Sequence, residues 1–352
     1  MMYYLITPIL LSLVFVITFR YFYPSKTKLP LPPGPFSWPF IGNLFQVGRK
    51  RPHASLAKLA QSHGPDLMSI RFGTRLVVVA SSPAAAAEVL KTLDRMLSGR
   101  FVSHPIRVEG SKLHNVSTAF LEECDENWKN VRTIYRGALF SNKALESQEI
   151  FGAGTESTTA TSEWMLVELL RNPQALQKLR DEISQVVGGG KGIIKESDLP
   201  SLPYLDACFK ETLRLHPPGP LLLPHRAVQT CEVMGYRIPR NTQVLVNMWA
   251  IARDSKIWDD PSSFKPERFI NSKFDNKGQK FEYLPFGSGR RICAGEPLAS
   301  RFIPLAVASL IHKFDWILPN EMDPAKINMD EVLDVTMFKK DSLFVIPKLR
   351  SV

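Results

Sequence analysis

The sequence predicts a mainly α protein with a small β region. Helical spacing of apolar residues covers Pro52 to Gln61, Pro83 to Leu90, Glu163 to Val187, Tyr204 to His216 and Pro297 to His312. Runs with strand character are fewer and shorter: Met68 to Phe72, Arg75 to Ala80, Glu232 to Met234 with Tyr236 to Ile238, Gln243 to Asn247 and Leu343 to Ile346. No internal repeat is present, which excludes a repeat array.

Taken in order, the chain opens with residues 1 to 19, which carry no charge, and the run Leu5 to Phe19 is almost wholly apolar. This approaches the roughly 17–25 residues needed to span a bilayer as a helix. Arg20, Lys26 and Lys28 follow at once and place the rest of the chain on the cytosolic side. A cleaved signal would want a basic start and small residues at its end, whereas the flank is Thr18-Phe19-Arg20-Tyr21-Phe22-Tyr23. Residues 1–23 are therefore expected to be an uncleaved single-pass anchor. Residues 24–35, with Leu29-Pro30-Leu31-Pro32-Pro33-Gly34-Pro35, form a stiff polyproline-like hinge. Residues 36–352 then form one domain.

Within that domain, Trp128 and Arg132 stand four apart and share a helix face. The segment Phe151-Gly152-Ala153-Gly154-Thr155-Glu156-Ser157-Thr158-Thr159 sets small residues beside hydroxyls that can bond back to helix carbonyls. A dinucleotide fold is excluded there, because no strand precedes the glycines. Gly188-Gly189-Gly190-Lys191-Gly192 reads as a surface loop between helices. Glu211 and Arg214, three apart, can pair, and Pro217 and Pro218 end their helix.

The four cysteines, at 124, 208, 231 and 293, show no paired spacing, which argues for a reducing compartment. The sequon at Asn115 would then go unused. A net charge of +10 suggests an acidic partner or anionic membrane lipid. No basic run is interleaved with aromatics, so nucleic acid is not expected as a partner.

The most informative stretch is Phe286-Gly287-Ser288-Gly289-Arg290-Arg291-Ile292-Cys293-Ala294-Gly295, followed by an apolar run, Leu298 to Leu310, that reads as a helix. Amides at the start of that helix should lower the pKa of a thiol at Cys293. Gly287, Gly289 and Gly295 let the backbone approach a flat partner, and Arg291 can neutralise an acid group on it. One soft anionic ligand in such a loop suits an iron held in a planar macrocycle, with Cys293 as the metal ligand.

The order Phe286-x-x-Gly289-x-Arg291-x-Cys293-x-Gly295 closely resembles the haem-binding loop of the cytochrome P-450 family of haem-thiolate monooxygenases. Glu211 and Arg214, with Arg268 of Pro266-Glu267-Arg268-Phe269, resemble the family's buried polar network. The resemblance implies a cytochrome P-450 fold with haem b (iron protoporphyrin IX) on the Cys293 thiolate and Phe286 packed beside it. It implies further that Trp128, Arg132, Arg291 and His225 hold propionates, and that Glu156 and Ser157 deliver protons. Ser157 stands where the family usually has threonine, which loses the methyl that fixes the rotamer. The resemblance also implies a cytosolic catalytic domain on the endoplasmic reticulum membrane, electrons from NADPH through a partner NADPH-cytochrome reductase, and a lipophilic small-molecule substrate contacted from Phe101 to Ser117, the Ala153 helix, Leu221 to Leu223 and Val335 to Phe338. The helix after Phe151 is similar to those of plant branches that oxidise monoterpenols and benzylisoquinoline alkaloids.

Between Trp128 and Ala153 the chain is far shorter than the family. The resemblance therefore implies an internal deletion near 141–150 and the loss of several helices on the distal side. Two readings of this chain stay open: an active monooxygenase, and a non-catalytic haem binder or fragment.

Overall fold

Helix α1 (Pro52–His63) starts on a proline, whose absent N–H falls where no intrahelical partner is needed, and it buries His53, Leu56, Ala57 and Ala60. Strands β1 (Leu67–Phe72) and β2 (Arg75–Ala80) follow as a hairpin paired from Leu67↔Ala80 to Phe72↔Arg75. The computed structural model describes residues 29–102, 118–138, 148–188 and 192–350, together with Ser12 and Phe15. β2 continues the sheet by pairing parallel with β7 (Gln243–Val246), and the five strands run in the order β1-β2-β7-β4-β3, with β3 at Gly99–Arg100 and β4 at His225–Arg226. The β-branched run Val77–Val79 is wholly buried, as expected of a strand covered on both faces. Three two-stranded ladders complete the β region: β5 (Cys231–Val233) with β6 (Tyr236–Ile238), β8 (Phe314–Ile317) with β11 (Ile346–Leu349), and β9 (Glu331–Leu333) with β10 (Met337–Lys339).

The helical half is built on α3 (Glu126–Ala138), α4 (Gln148–Arg171), α5 (Pro173–Val187), α6 (Pro203–Leu215) and α8 (Glu296–Lys313), with the short helices α2 (Pro83–Ala87) and α7 (Met248–Ile251) beside the sheet. Trp164, Leu169, Leu179, Phe209, Ile303 and Val307 make a dry core common to α4, α5, α6 and α8. A second, polar core lies under α6. Glu211 and Arg214, neither of them exposed, pair through two bonds of 2.7 and 2.9 Å, and Arg268 Nε donates to the same carboxylate at 3.0 Å. These are the three residues whose spacing resembled the family's network.

Several expected elements differ. The helix expected over Glu163 to Val187 is two helices, α4 and α5, parted at Asn172 (φ −120°, ψ 77°). Pro173 lacks an N–H and drives the preceding residue out of the helical region. The stretch from Pro83 to Leu90 is α2 followed by a π turn over Glu88–Thr92. The strand expected at Leu343 to Ile346 is displaced to β11, because the Leu343 N–H donates to a Glu163 carboxylate oxygen at 2.6 Å instead of joining a ladder. Strands β8, β9 and β10 had no sequence expectation.

The apolar run of the expected anchor lies outside the described residues apart from Ser12 and Phe15, and no helix among the described residues is long and apolar enough to cross a membrane. Most of the expected substrate loop (103–117), the glycine patch at 189–191 and the junction at 139–147 also lie outside them.

Candidate active site

The loop from Phe286 is bent by two glycines in the left-handed region, Gly287 at φ +71° and Gly289 at φ +68°. A Cβ at Gly289 would stand 2.0 Å from the Leu90 carbonyl oxygen, so the loop is pressed against the π turn where no side chain fits. The loop closes when the Cys293 N–H donates to the Phe286 carbonyl at 2.9 Å, and α8 starts at Glu296 with Gly295 as its cap. Phe286 packs against the helical core.

Cys293 is exposed, yet enough protein surrounds it for burial to push its thiol above the ordinary value. An amide hydrogen bond from Gly295 and the Arg132 charge, with the amide of Glu296, pull the other way, as expected of the start of α8, and burial outweighs them. A thiol so placed loses its proton outright when a cation coordinates the sulfur.

Beside this loop the fold gathers cations. Arg132 Nη2 donates to the Ile292 carbonyl at 2.6 Å, next to the cysteine. Arg291 donates to the carbonyls of Ser98, Thr118 and Leu121 at 3.0, 2.8 and 2.7 Å. The Trp128 indole N–H donates to the same Thr118 oxygen at 3.1 Å, and the guanidinium groups of Arg291 and Arg132 lie 5.2 and 5.8 Å from its ring. Burial, with the charges of Arg291 and Arg132, holds the Arg100 guanidinium down to about 9. Arg100 Nη1 donates to Leu223 O at 2.7 Å, while its Nε is buried with no partner.

Arg100 was missed by sequence reasoning. Its neighbours carry no motif, and it is revealed by the β3–β4 pairing that sets Arg100 opposite His225. His225 is buried, and burial with the charge of Arg100 holds it down to about 3, so the ring is neutral. Its Nδ1–H donates to Leu97 O at 2.8 Å, leaving a lone pair at Nε2. Donation to a carboxylate from that side requires the acid group to restore the second proton.

These residues fit an iron porphyrin by the chemistry of their donors. Cys293 offers one exposed sulfur, a soft ligand, in a loop bent by Gly287 and Gly289. The Arg100, Arg291 and Arg132 guanidinium groups lie close enough to act on one another, and the Arg100 Nε is buried with no partner, so the cluster suits a partner bearing acid groups.

A model of the cytochrome P450 family matches residues 32–150 and 141–344. The chain belongs to the cytochrome P450 family. Among its P450 relatives, (S)-N-methylcoclaurine 3'-hydroxylase isozyme 1 of Papaver somniferum is 36% identical over 483 residues, spanning 96% of this chain and 99% of the relative. Cytochrome P450 76A1 of Solanum melongena is 54% identical over 200 residues, 57% of this chain and 43% of the relative. A zebra fish cytochrome P450 solved with abiraterone superposes with a TM-score of 0.66 at 23% identity, over 85% of this chain and 99% of that one, which shows the fold. An alignment of 483 residues on a chain of 352 requires a long stretch of the Papaver protein without counterpart here. The two family matches meet at 141–150, between α3 and α4.

The distal candidates lie on α4, which the core through Trp164, Met165, Ile303 and Val307 ties to α8. The helix is continuous from Gln148 to Arg171. Within it the Thr161 hydroxyl donates back to the Ser157 carbonyl at 2.8 Å. A Cβ at Gly154 would meet no atom within 4 Å, so space stands open on that side of α4. Glu156 is exposed, and its Oε2 lies 3.4 Å from the Thr336 hydroxyl at the β9–β10 turn.

Proposed function

We propose that this P450 is a haem-dependent monooxygenase that inserts one oxygen atom from O2 into a small lipophilic substrate of the terpenoid or alkaloid class, using electrons from NADPH through a reductase. The observation that carries the proposal is the exposed Cys293 sulfur, with the Arg132 guanidinium held at the carbonyl of the residue before it. The relatives named for an alkaloid substrate, N-methylcoclaurine, favour the alkaloid side.

Cys293 would hold the haem iron from one face, with Phe286 beside it and Gly287, Gly289 and Gly295 shaping the loop. Arg132, Arg291, Arg100 and Trp128 would hold the propionates, with His225 joining once a carboxylate restores its second proton. Bound there, the haem supplies activation of dioxygen, favoured by electron donation from the thiolate. Glu156 and Ser157 would move protons from solvent to the distal side. The chain would sit on the endoplasmic reticulum membrane by residues 1–23, with the hinge at 24–35 and the catalytic domain at 36–352 in the cytosol.

The shortened stretch between α3 and α4 favours a second reading, a haem binder that does not turn over. One experiment separates the two. The reduced, carbon-monoxide-treated protein should show the red-shifted Soret band of thiolate ligation, and Cys293→Ala should abolish it. With reductase, NADPH and (S)-N-methylcoclaurine, a hydroxylated product supports the first reading. The band without product supports the second, and no band in the wild type refutes both.

A further inference from the structure

The β9–β10 hairpin is tied to the start of helix α1 through the buried carboxylate of Glu331. Glu331 is buried, and its Oε1 accepts from Arg51 Nη2 at 2.9 Å and from His53 Nε2 at 3.1 Å. Those partners lie 280 and 278 positions away in sequence. His53 is fully buried, with its ring 5.1 Å from that of Trp249, so it cannot follow the carboxylate if the hairpin moves. A buried charge is tolerated only when paired, and such a pair can specify geometry even where it adds little stability.

The geometry specified here is that of the far end of the hairpin. The register Lys339↔Glu331 and Met337↔Leu333 puts the turn through Val335 and Thr336 opposite the clamped end. At that turn the Met337 N–H donates to the Pro218 carbonyl at 2.8 Å, and the Thr336 hydroxyl stands 3.4 Å from Glu156 Oε2. Just beyond the hairpin the Leu343 N–H bonds Glu163, also on α4. The hairpin thus bridges the start of α1 to the solvent-exposed side of α4 that carries the candidate proton donor.

We propose that Glu331, held by His53 and Arg51, is a positioning residue for the oxidation: it fixes the β9–β10 hairpin so that Thr336 orients the Glu156 carboxylate, and it thereby sets how much reduced oxygen ends in product rather than peroxide. The inference rests on the reading of Glu156 as a proton donor. Because Glu156 is exposed, an external side chain that orients it carries more weight than it would in a closed site.

The test uses the full chain with haem and reductase, comparing wild type, Glu331→Gln, Thr336→Val and the double variant. Two quantities are read: amide hydrogen exchange over 331–339, and peroxide released per NADPH consumed with (S)-N-methylcoclaurine as the probe. Glu331→Gln should speed exchange of the Met337 amide about tenfold and raise the peroxide fraction roughly twofold, with the carbon-monoxide spectrum unchanged. Thr336→Val should raise peroxide alone, and the double variant should release no more peroxide than Thr336→Val. Unchanged exchange overturns the clamp, and loosening without extra peroxide, or additive effects, overturns the positioning role. Should Glu331→Gln not fold, His53→Phe removes the donor at similar volume and is judged by the same two readings. If wild type shows no thiolate spectrum, the function proposed for Glu156 and the positioning role fall together, and exchange alone still decides whether Glu331 fixes the hairpin.

Discussion

Glu211→Ala is the sharpest perturbation of the fold that the structure supports. The Glu211 carboxylate accepts four bonds, from Arg214 Nε and Nη2, Arg268 Nε and the Lys265 N–H, at 2.7 to 3.0 Å. Removing it strands Arg214, which has no exposure at all. Breaking one partner of a buried pair costs roughly 3–5 kcal/mol. Arg214 keeps acceptors at the Ala252 and Pro261 carbonyls (2.7 and 2.8 Å), so the loss belongs at the lower end, about 3 kcal/mol. At about 2–4 °C per kcal/mol, Tm should fall by roughly 6–12 °C, or the urea midpoint correspondingly. The diagnostic variant is the double replacement Glu211→Leu with Arg214→Met, which removes both charges and should be less destabilised than Glu211→Ala alone. A Glu211→Ala loss below about 1 kcal/mol, or a double variant worse than the single one, would refute the view that these residues act as one buried unit.

Three further outcomes are expected. Gly289→Ala should remove most of the thiolate carbon-monoxide signal, since its Cβ would meet backbone at 2.0 Å; Gly287→Ala, whose Cβ meets only the Leu222 side chain at 3.6 Å, should retain more of it. Arg100→Gln should speed loss of haem to an acceptor globin by roughly tenfold, about the worth of one charged hydrogen bond. For Glu331, burial would raise the carboxyl, but the hydrogen bond from His53 and the charges of Arg253, His53 and Arg51 hold it at about 2 against an ordinary 4.5. Its folded value is the lower one, so the stabilisation, roughly 3 kcal/mol, is present above pH 4.5 and drains away as pH falls towards 2. Urea midpoints between pH 6 and pH 3 should therefore fall less steeply in Glu331→Gln than in wild type.

What was legible in the sequence was whatever a short pattern writes locally. The Phe286–Gly295 loop was named from its residues, the Glu211 and Arg214 pair from spacing and Arg268 from the family resemblance, and the fold places those three as one network. Pairings between distant segments leave no such mark. Arg100 joins the cation cluster because β3 lies beside β4, and Glu331 meets His53 across most of the chain's length; neither has a local signature. The break at Pro173 was legible but overridden, because the apolar period runs on through it. At Cys293 the amides that lower the thiol can be read from order along the chain, whereas the burial that raises it depends on everything that folds around it.

The shortened stretch divides the molecule along a physical line. The thiol and the cation cluster arise outside it: Arg100 from the sheet edge, Trp128 and Arg132 from α3, and Arg291 and Cys293 from the loop before α8. The core that supports that loop is shared by α4, α5, α6 and α8, all of them present. Holding a flat, acid-bearing cofactor thus depends on parts that remain. Control of water and protons on the other face depends on what covers α4, where Gly154, Thr155 and Glu156 are exposed. An open face admits water and weakens every electrostatic interaction made there. In the proposed reading, ligation and productive oxidation are therefore separable properties of this P450. The turn of the β9–β10 hairpin touches the Glu156 carboxylate through Thr336, and in that reading the balance between product and peroxide turns on it.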